Sequence, residues 1–459
     1  MDFPALLTSL GDTLYTALAF VIALSVIVAV HEYGHYIVGR WSGIKAEVFS
    51  IGFGPKLWSR MDRHGTRWQV AAVPFGGYVK FLGDANAASA GADSDTMSRL
   101  TAEERRHTMH GAPLWARAAT VAAGPIFNFI LSIAVFGAML FTTGVATEAP
   151  EIAALKPLPV ENQLMPGDRI LSVDGHDTPD YKALGDAADL MPDAANVPYV
   201  VMRGGEEITV TGPTLIPPLV LAVLPKSAAM DAGLLEDDVI LEMNGTPVIR
   251  FDDLQAIVKA SQGAPVTLKV WRAGETFETT LAPRNRPVQA EDGTLENGYQ
   301  IGISGSFWFE PATRSPGVTE ALRVGALQTW GVIEALRAGV LQTWGIVAQT
   351  FSAMSSMISG KLSTCNLNGP VGMAQATGAA ASAGIASFIW LIAALSTAIG
   401  LLNLFPIPVL DGGHLVFHAY EWATGRPPSD RVMNAAMAVG LTIVLALMLF
   451  GLSNDLFCS

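Results

Sequence analysis

The stretch AVHEYGHYIV, Ala29 to Val38, follows directly on YTALAFVIALSVIV, and the chain carries no charge from Thr13 to Val30. A run of that length and apolarity predicts a helix able to span a bilayer. It ends in two histidines and a glutamate, at a depth where an ionisable group costs free energy and usually carries function. His31 and His35 are four residues apart, so on a helix they lie about 40° apart on one face. Two imidazoles so placed can bind one metal ion, and Glu32 beside them can hold a water on it. This is the H-E-x-x-H arrangement.

The rest of the chain agrees with a membrane setting. Half of its 459 residues are hydrophobic, and the mean hydropathy is +0.37. Long stretches of ordinary polar composition alternate with apolar runs, which predicts a few spans joined to soluble domains. Four uncharged runs are long enough to cross: Thr13–Val30, Ala118–Thr147, one within Ile385–Leu410, and Val432–Asn454. A fifth, Ala338–Gly360, is interrupted by Gln342, Thr343, Gln349, Thr350 and several serines. The net charge of −13 excludes nucleic acid as a main partner. Two cysteines, Cys365 and Cys458, make neither a disulfide scaffold nor a cysteine-type zinc finger.

Charge sets the expected orientation. Arg40 to Arg117 holds 11 basic against 7 acidic residues, and Gly144 to Ile385 holds 15 against 27. The first segment therefore goes in the cytoplasm and the acidic one outside, together with both termini. Cys365 and Cys458 then share the outer face, where a disulfide can form.

A catalytic zinc takes three protein ligands and keeps one position open. The third ligand should come from another apolar segment on the same side. NLFPIPVLDGGH, Asn403 to His414, closes the third run, and Pro406 and Pro408 interrupt its helix and free backbone groups. Asp411 sits at that break. His414 and His418, again four apart, form a competing pair that spacing alone does not exclude. With Ala338–Gly360 lying on or beside the membrane, the ends of the first and third spans face the same side, and His31, His35 and Asp411 can meet.

HEYGH in the first span, AGPIFN (Ala123–Asn128) in the second and NLFPIPVLDGG (Asn403–Gly413) after the third resemble the site-2 protease family. Within it the chain is similar to the bacterial RseP-type intramembrane zinc metalloproteases, over nearly its whole length. The resemblance implies one Zn²⁺ per chain on His31, His35 and Asp411, with Glu32 activating the water. It implies that Asn403 contacts the substrate backbone or steadies the oxyanion, that Pro406, Gly76, Gly77 and Tyr78 border the substrate, and that Gly124 and Asn128 support the site. It also implies an inner-membrane enzyme that makes the second cut in a single-span protein such as an anti-sigma factor, or clears remnant signal peptides. The rival readings are a membrane-anchored scaffold with a structural metal site and a transporter.

The expected fold is a polytopic α-helical membrane protein: four transmembrane helices, a cytoplasmic membrane-re-entrant β-loop and two periplasmic PDZ-like α/β domains. Residues 1–40 form the first span and 41–116 the cytoplasmic loop. There Lys45–Ser50, Thr66–Val73 and PFGGYVKF (Pro74–Phe81) read as a glycine-punctuated sheet whose edge can pair with an extended peptide. The second span is 117–145. An internal repeat follows, GDRILSVDG (Gly167–Gly175) against DDVILEMNG (Asp237–Gly245), giving modules at 150–214 and 215–285 that resemble tandem PDZ domains and could bind peptide C-termini or exclude bulky substrates. Residues 286–384 read as a connector containing a second repeat, EALRVGALQTWGVI (Glu320–Ile333) and EALRAGVLQTWGIV (Glu334–Val347). It lengthens an amphipathic helix or marks an interfacial one. Residues 385–431 hold the third span and the LDG motif, and 432–454 the fourth.

Overall fold

The computed structural model describes residues 3–85, 91–143, 145–224, 227–289, 295–314 and 329–457. The chain divides into two compact units, one of Met1–Met139, Val332–Ser352 and Leu367–Ser459, the other of Leu140–Gly331 and Ala353–Asn366.

The first unit is built from helices α1 (Phe3–Trp41), α2 (Leu114–Thr143), the middle of α3 (Thr329–Ile358), α4 (Pro370–Ser382), α5 (Ile385–Asn403), α6 (Asp411–Thr424) and α7 (Asp430–Phe457). Among the described residues, four stretches are long and apolar enough to cross a membrane: Thr13–Trp41, Leu114–Thr142, Ile385–Asn403 and Arg431–Phe457. They coincide with the four runs read from sequence. α3 is not among them; it packs beside α2, where a Cβ on Gly339 would lie 2.5 Å from the Ile133 carbonyl oxygen.

Small residues and hydroxyls join the helices. Ser132 Oγ donates to the Ala393 carbonyl at 2.7 Å and Ser396 Oγ to the Asn128 carbonyl at 3.0 Å, tying α2 to α5. In an apolar setting such groups must find partners inside the bundle. Asp455 of α7 accepts from the amides of Gly369, Val371 and Gly372 at 2.9–3.0 Å, so the N-terminus of α4 is capped from another helix. Cys365 is disulfide-bonded; Cys458 lies outside the described residues.

Between α1 and α2 lies an antiparallel pair, β1 (Ala46–Met61) and β2 (Arg67–Phe81). Both strands are bent. Phe49 sits opposite Val79 and also opposite Trp68, and Arg67–Ala71 in turn pairs with Lys56–Met61. The two long strands thus make a sheet four segments wide, with Gly77–Phe81 and Lys56–Met61 as its outer edges. Trp68 packs on Phe49 and Tyr36, ring centres 4.3 and 5.1 Å away, which fixes the sheet to α1. A short helix covers Ala102–Arg105, opened by a Thr101–Glu104 capping box.

The second unit holds two modules of one design. In each, four strands follow the same order: His176–Asp177, Arg169–Val173, Asn196–Arg203, Glu206–Pro213 in the first, and Thr246–Pro247, Val239–Met243, Val266–Arg272, Glu275–Leu281 in the second. Helices Tyr181–Ala188 and Phe251–Ser261 lie at matching places. Each module buries one aspartate on an arginine: Asp168 meets Arg203, and Asp238 meets Arg272, through paired contacts of 2.6–2.7 Å. Gly167 of the first copy has φ +91, and Asp237 holds the matching left-handed position at φ +67.

The expected boundary at 285/286 is corrected here. Ile303–Ser304 pairs with Ala222–Val223, Phe309–Pro311 with Ile152–Leu155, and Thr313–Arg314 with Val145–Ala146. The chain returns through both modules, and the fully buried Trp308 completes the core of the first. Residues 299–314 therefore belong to the modules, not to a connector. Of the 14-residue repeat, the second copy lies in α3; residues 320–328 of the first copy lie outside the described residues.

Candidate active site

The site forms where α1 crosses α2. Close approach there needs small residues: a Cβ on Gly34 would stand 2.5 Å from the Ala123 carbonyl oxygen. A Cβ on Gly124 would stand 2.5 Å from His35 Cε1 and 2.7 Å from His31 Nε2. The glycine of HEYGH and the glycine of AGPIFN therefore clear the space in which both imidazoles sit.

The break after α5 brings in the third group. Pro406 and Pro408 end the helix, the chain turns, and Asp411 starts α6. Gly412 and Gly413 are buried against the backbone of residues 404–408, so only glycine fits under the turn. Asp411 Oδ2 lies 3.1 Å from His31 Nε2 and 3.6 Å from His35 Nε2, and the two Nε2 atoms are 3.1 Å apart.

The ring nitrogens on the far side decide what meets in the middle. His35 Nδ1 donates to the Thr120 carbonyl at 2.8 Å, leaving Nε2 with its lone pair. The Asn128 amide lies 3.2 Å from His31 Nδ1, and Asn128 Oδ1 is buried without a hydrogen-bond partner. With the amide turned so that Oδ1 faces the ring, Asn128 accepts from Nδ1–H and leaves His31 Nε2 with its lone pair. Two lone pairs and a carboxylate oxygen, itself buried without a hydrogen bond, then converge on one point. Such a trio is suited to hold a metal cation. A tetrahedral ion with ligands at 2.0–2.1 Å separates its ligand atoms by about 3.3–3.4 Å, and the three separations bracket that value. His31, His35 and Asp411 form the single potential metal-binding group of this kind among the described residues.

Glu32 borders the same space. Gly77 of the sheet edge comes so close that an added Cβ would lie 3.1 Å from Glu32 Cγ. Together these groups open on a cavity of about 390 Å³, also lined by Tyr78, Asn403, His414 and His418.

Comparison with known proteins places this geometry. The model of peptidase family M50 matches residues 19–447. The chain belongs to peptidase family M50, the site-2 proteases. A Rhizobium meliloti (strain 1021) protein named as a zinc metalloprotease is 36% identical over 453 residues, covering 97% of this chain and 98% of its own. The regulator of sigma-E protease RseP of Escherichia coli (strain K12) is 32% identical over 481 residues, covering 96% and 98%. A PDZ domain of an SdrC-like protein from Listeria monocytogenes aligns with 19% of this chain at 18% identity and a TM-score of 0.16, too slight a likeness to weigh. The M50 chain described here is thus a metalloprotease with zinc metalloproteases as relatives.

Of the residues singled out from sequence, His31, Glu32, His35, Asp411, Asn403, Gly77 and Tyr78 line one cavity. Gly124 and Asn128 stand directly behind the imidazoles. Gly76 and Pro406 do not line it; Gly76, at φ +120, turns the sheet edge against Phe53, and Pro406 is exposed. His414 and His418 border the cavity without joining the three converging atoms. Sequence reasoning missed Gly34 and Thr120. The signal for Gly34 was its place inside HEYGH, opposite a small-residue motif on another span; Thr120 acts through its backbone and left none.

Proposed function

We propose that this protein is an intramembrane zinc endopeptidase that cuts single-span membrane proteins, with His31, His35 and Asp411 as the metal ligands and Glu32 as the base. The observation that carries the reading is the convergence of three acceptor atoms beside a carboxylate within a cavity at the end of an apolar helix. Zinc held there would supply Lewis acidity to a water and to the scissile carbonyl. Glu32 takes the proton from the attacking water and passes it to the leaving amine. Thr120 and Asn128 fix the imidazole tautomers.

Gly77–Phe81 is an outer edge of the sheet beside Glu32, so an unwound substrate segment can pair with it as an added strand. Tyr78 is steadied there by stacking on Phe53 and by the Gln69 amide. Asn403, at the end of α5, faces the same cavity and is placed to bind the substrate backbone. We assign Arg40–Arg117 to the cytoplasm and the two modules to the outside, where they bind peptide tails or bar bulky substrates. An anti-sigma factor already shortened by another protease is the substrate class that fits.

The test is cleavage of a tagged single-span substrate in membranes by wild type and by Glu32→Gln. The variant keeps its ligands and should lose cleavage. Equal cutting by both would remove Glu32 from the mechanism.

A further inference from the structure

The second outer edge of the sheet, Lys56–Met61, lines no part of the cavity. It exposes Leu57 at 70% and Trp58 and Met61 at 54% each. Between and beside them stand Lys56, Arg60, Arg63 and Arg67, all exposed. None of the four forms an ion pair among the described residues, although the chain as a whole carries −13. The one acid of this segment does not neutralise them. Asp62 is turned inward and taken up by four donors: Tyr36 Oη at 3.1 Å, Trp68 Nε1 at 3.0 Å and the amides of His64 and Thr66 at 2.8 and 2.9 Å.

The position of this edge says what it meets. His64 Nε2 lies 2.7 Å from Arg40 Nη2, in the last turn of α1. The apolar stretch Thr13–Trp41 ends there, with Trp41 73% exposed. The turn end of this edge, Arg60 to Arg67, therefore sits level with the end of a membrane helix, where lipid headgroups lie, and Lys56 stands further along the same strand with a side chain long enough to reach toward that level. Clustered Lys and Arg at that level, interleaved with aromatic and aliphatic side chains, fit an anionic interface. We propose that Lys56, Arg60, Arg63 and Arg67, with Leu57, Trp58 and Met61 between them, form a binding site for anionic phospholipid headgroups. This goes beyond the proteolytic reading and stands without it, since it needs only that α1 enters the membrane.

Each cation near an anionic surface contributes roughly fivefold to binding, and added salt weakens it. The test uses the full chain in neutral detergent, offered equal phosphatidylglycerol and phosphatidylcholine, with retained lipid read by native mass spectrometry. Wild type should retain phosphatidylglycerol preferentially. The combined variant Lys56→Gln, Arg60→Gln, Arg63→Gln and Arg67→Gln should lose at least about tenfold of that preference while keeping its zinc content, which reports an intact fold. The single variant Arg63→Gln, at an exposed turn, should lose about fivefold. Leu57→Ser with Trp58→Ser should weaken lipid retention with the cations in place. Preference unchanged in the fourfold variant would overturn the proposal. So would full competition by millimolar inorganic phosphate, which would make the site one for free phosphate. Binding of an acidic peptide to the same cations without lipid selectivity would assign the edge to a protein partner and equally defeat it.

Discussion

Gly124→Ala adds one methyl group at the crossing of α1 and α2, and the structure says where it goes. The new carbon would lie 2.7 Å from His31 Nε2 and 2.5 Å from His35 Cε1. Ordinary contact starts near 3.4 Å, and His35 Nε2 is closer still, so the imidazoles must retreat by about 0.7 Å or more. They cannot do so freely, because His35 is tied to Thr120 and His31 faces Asn128. Metal sites tolerate about 0.2 Å in ligand distance, and loss of a supporting group alone costs roughly 10–100-fold in affinity. Displacing two ligands at once should cost about 100-fold or more. The assay is zinc per chain after dialysis against graded chelator. Gly345→Ala serves as control: it is helical with nothing within 4 Å, and should bind zinc as wild type does. Wild-type zinc affinity in Gly124→Ala, with the fold intact by circular dichroism, would refute the placement of both imidazoles against this glycine.

Three further outcomes are expected. Gly77→Ala should retain zinc but cleave roughly 10–100-fold more slowly, because its Cβ would press on the Ser50 carbonyl oxygen at 2.8 Å and on Glu32 Cγ at 3.1 Å; zinc content and kcat measured together check this. Arg203→Met should lower the stability of the first module, since Asp168, 1% exposed, is left with only the Met165 amide as a partner, and thermal unfolding of the whole chain reads it. Asp62 feels burial, which raises its pKa, but hydrogen bonds from Trp68, Thr66, His64 and Tyr36 outweigh that and hold it at about 2. Its folded pKa is depressed, so its contribution is full above the unfolded value of about 4 and fades as pH falls toward 2. The β1–β2 sheet should resist pepsin at about pH 4 and yield near pH 2, whereas Asp62→Asn should be cut alike at both.

What was legible in the sequence had a local period or a local composition. His31 and His35 share a face because four residues nearly complete a helical turn, and the four spans follow from uncharged length alone. Asp411 needed one more step, the requirement that two spans end on the same side, and spacing left His414 and His418 as rivals; in the structure it is Asp411 Oδ2 that stands beside both Nε2 atoms, while those two histidines line the same cavity. The two modules were legible because a repeat prints the same strand twice. Non-local pairing was not legible. Residues 299–314 looked like part of a connector because nothing in that segment records that Phe309 will lie beside Leu155 or Ile303 beside Val223. The width of the β1–β2 sheet was hidden for the same reason: two bends turn one hairpin into four segments, and Gly52, at φ +89, marks one of them without saying which residues will then pair.

The account rests on Asp411, rather than a histidine of α6, completing the metal site. The direct measurement is zinc per chain in purified wild type, Asp411→Ala, His414→Ala and Glu32→Gln. One zinc in wild type and Glu32→Gln, near one in His414→Ala and almost none in Asp411→Ala is the result expected. Full zinc in Asp411→Ala with loss in His414→Ala would contradict it.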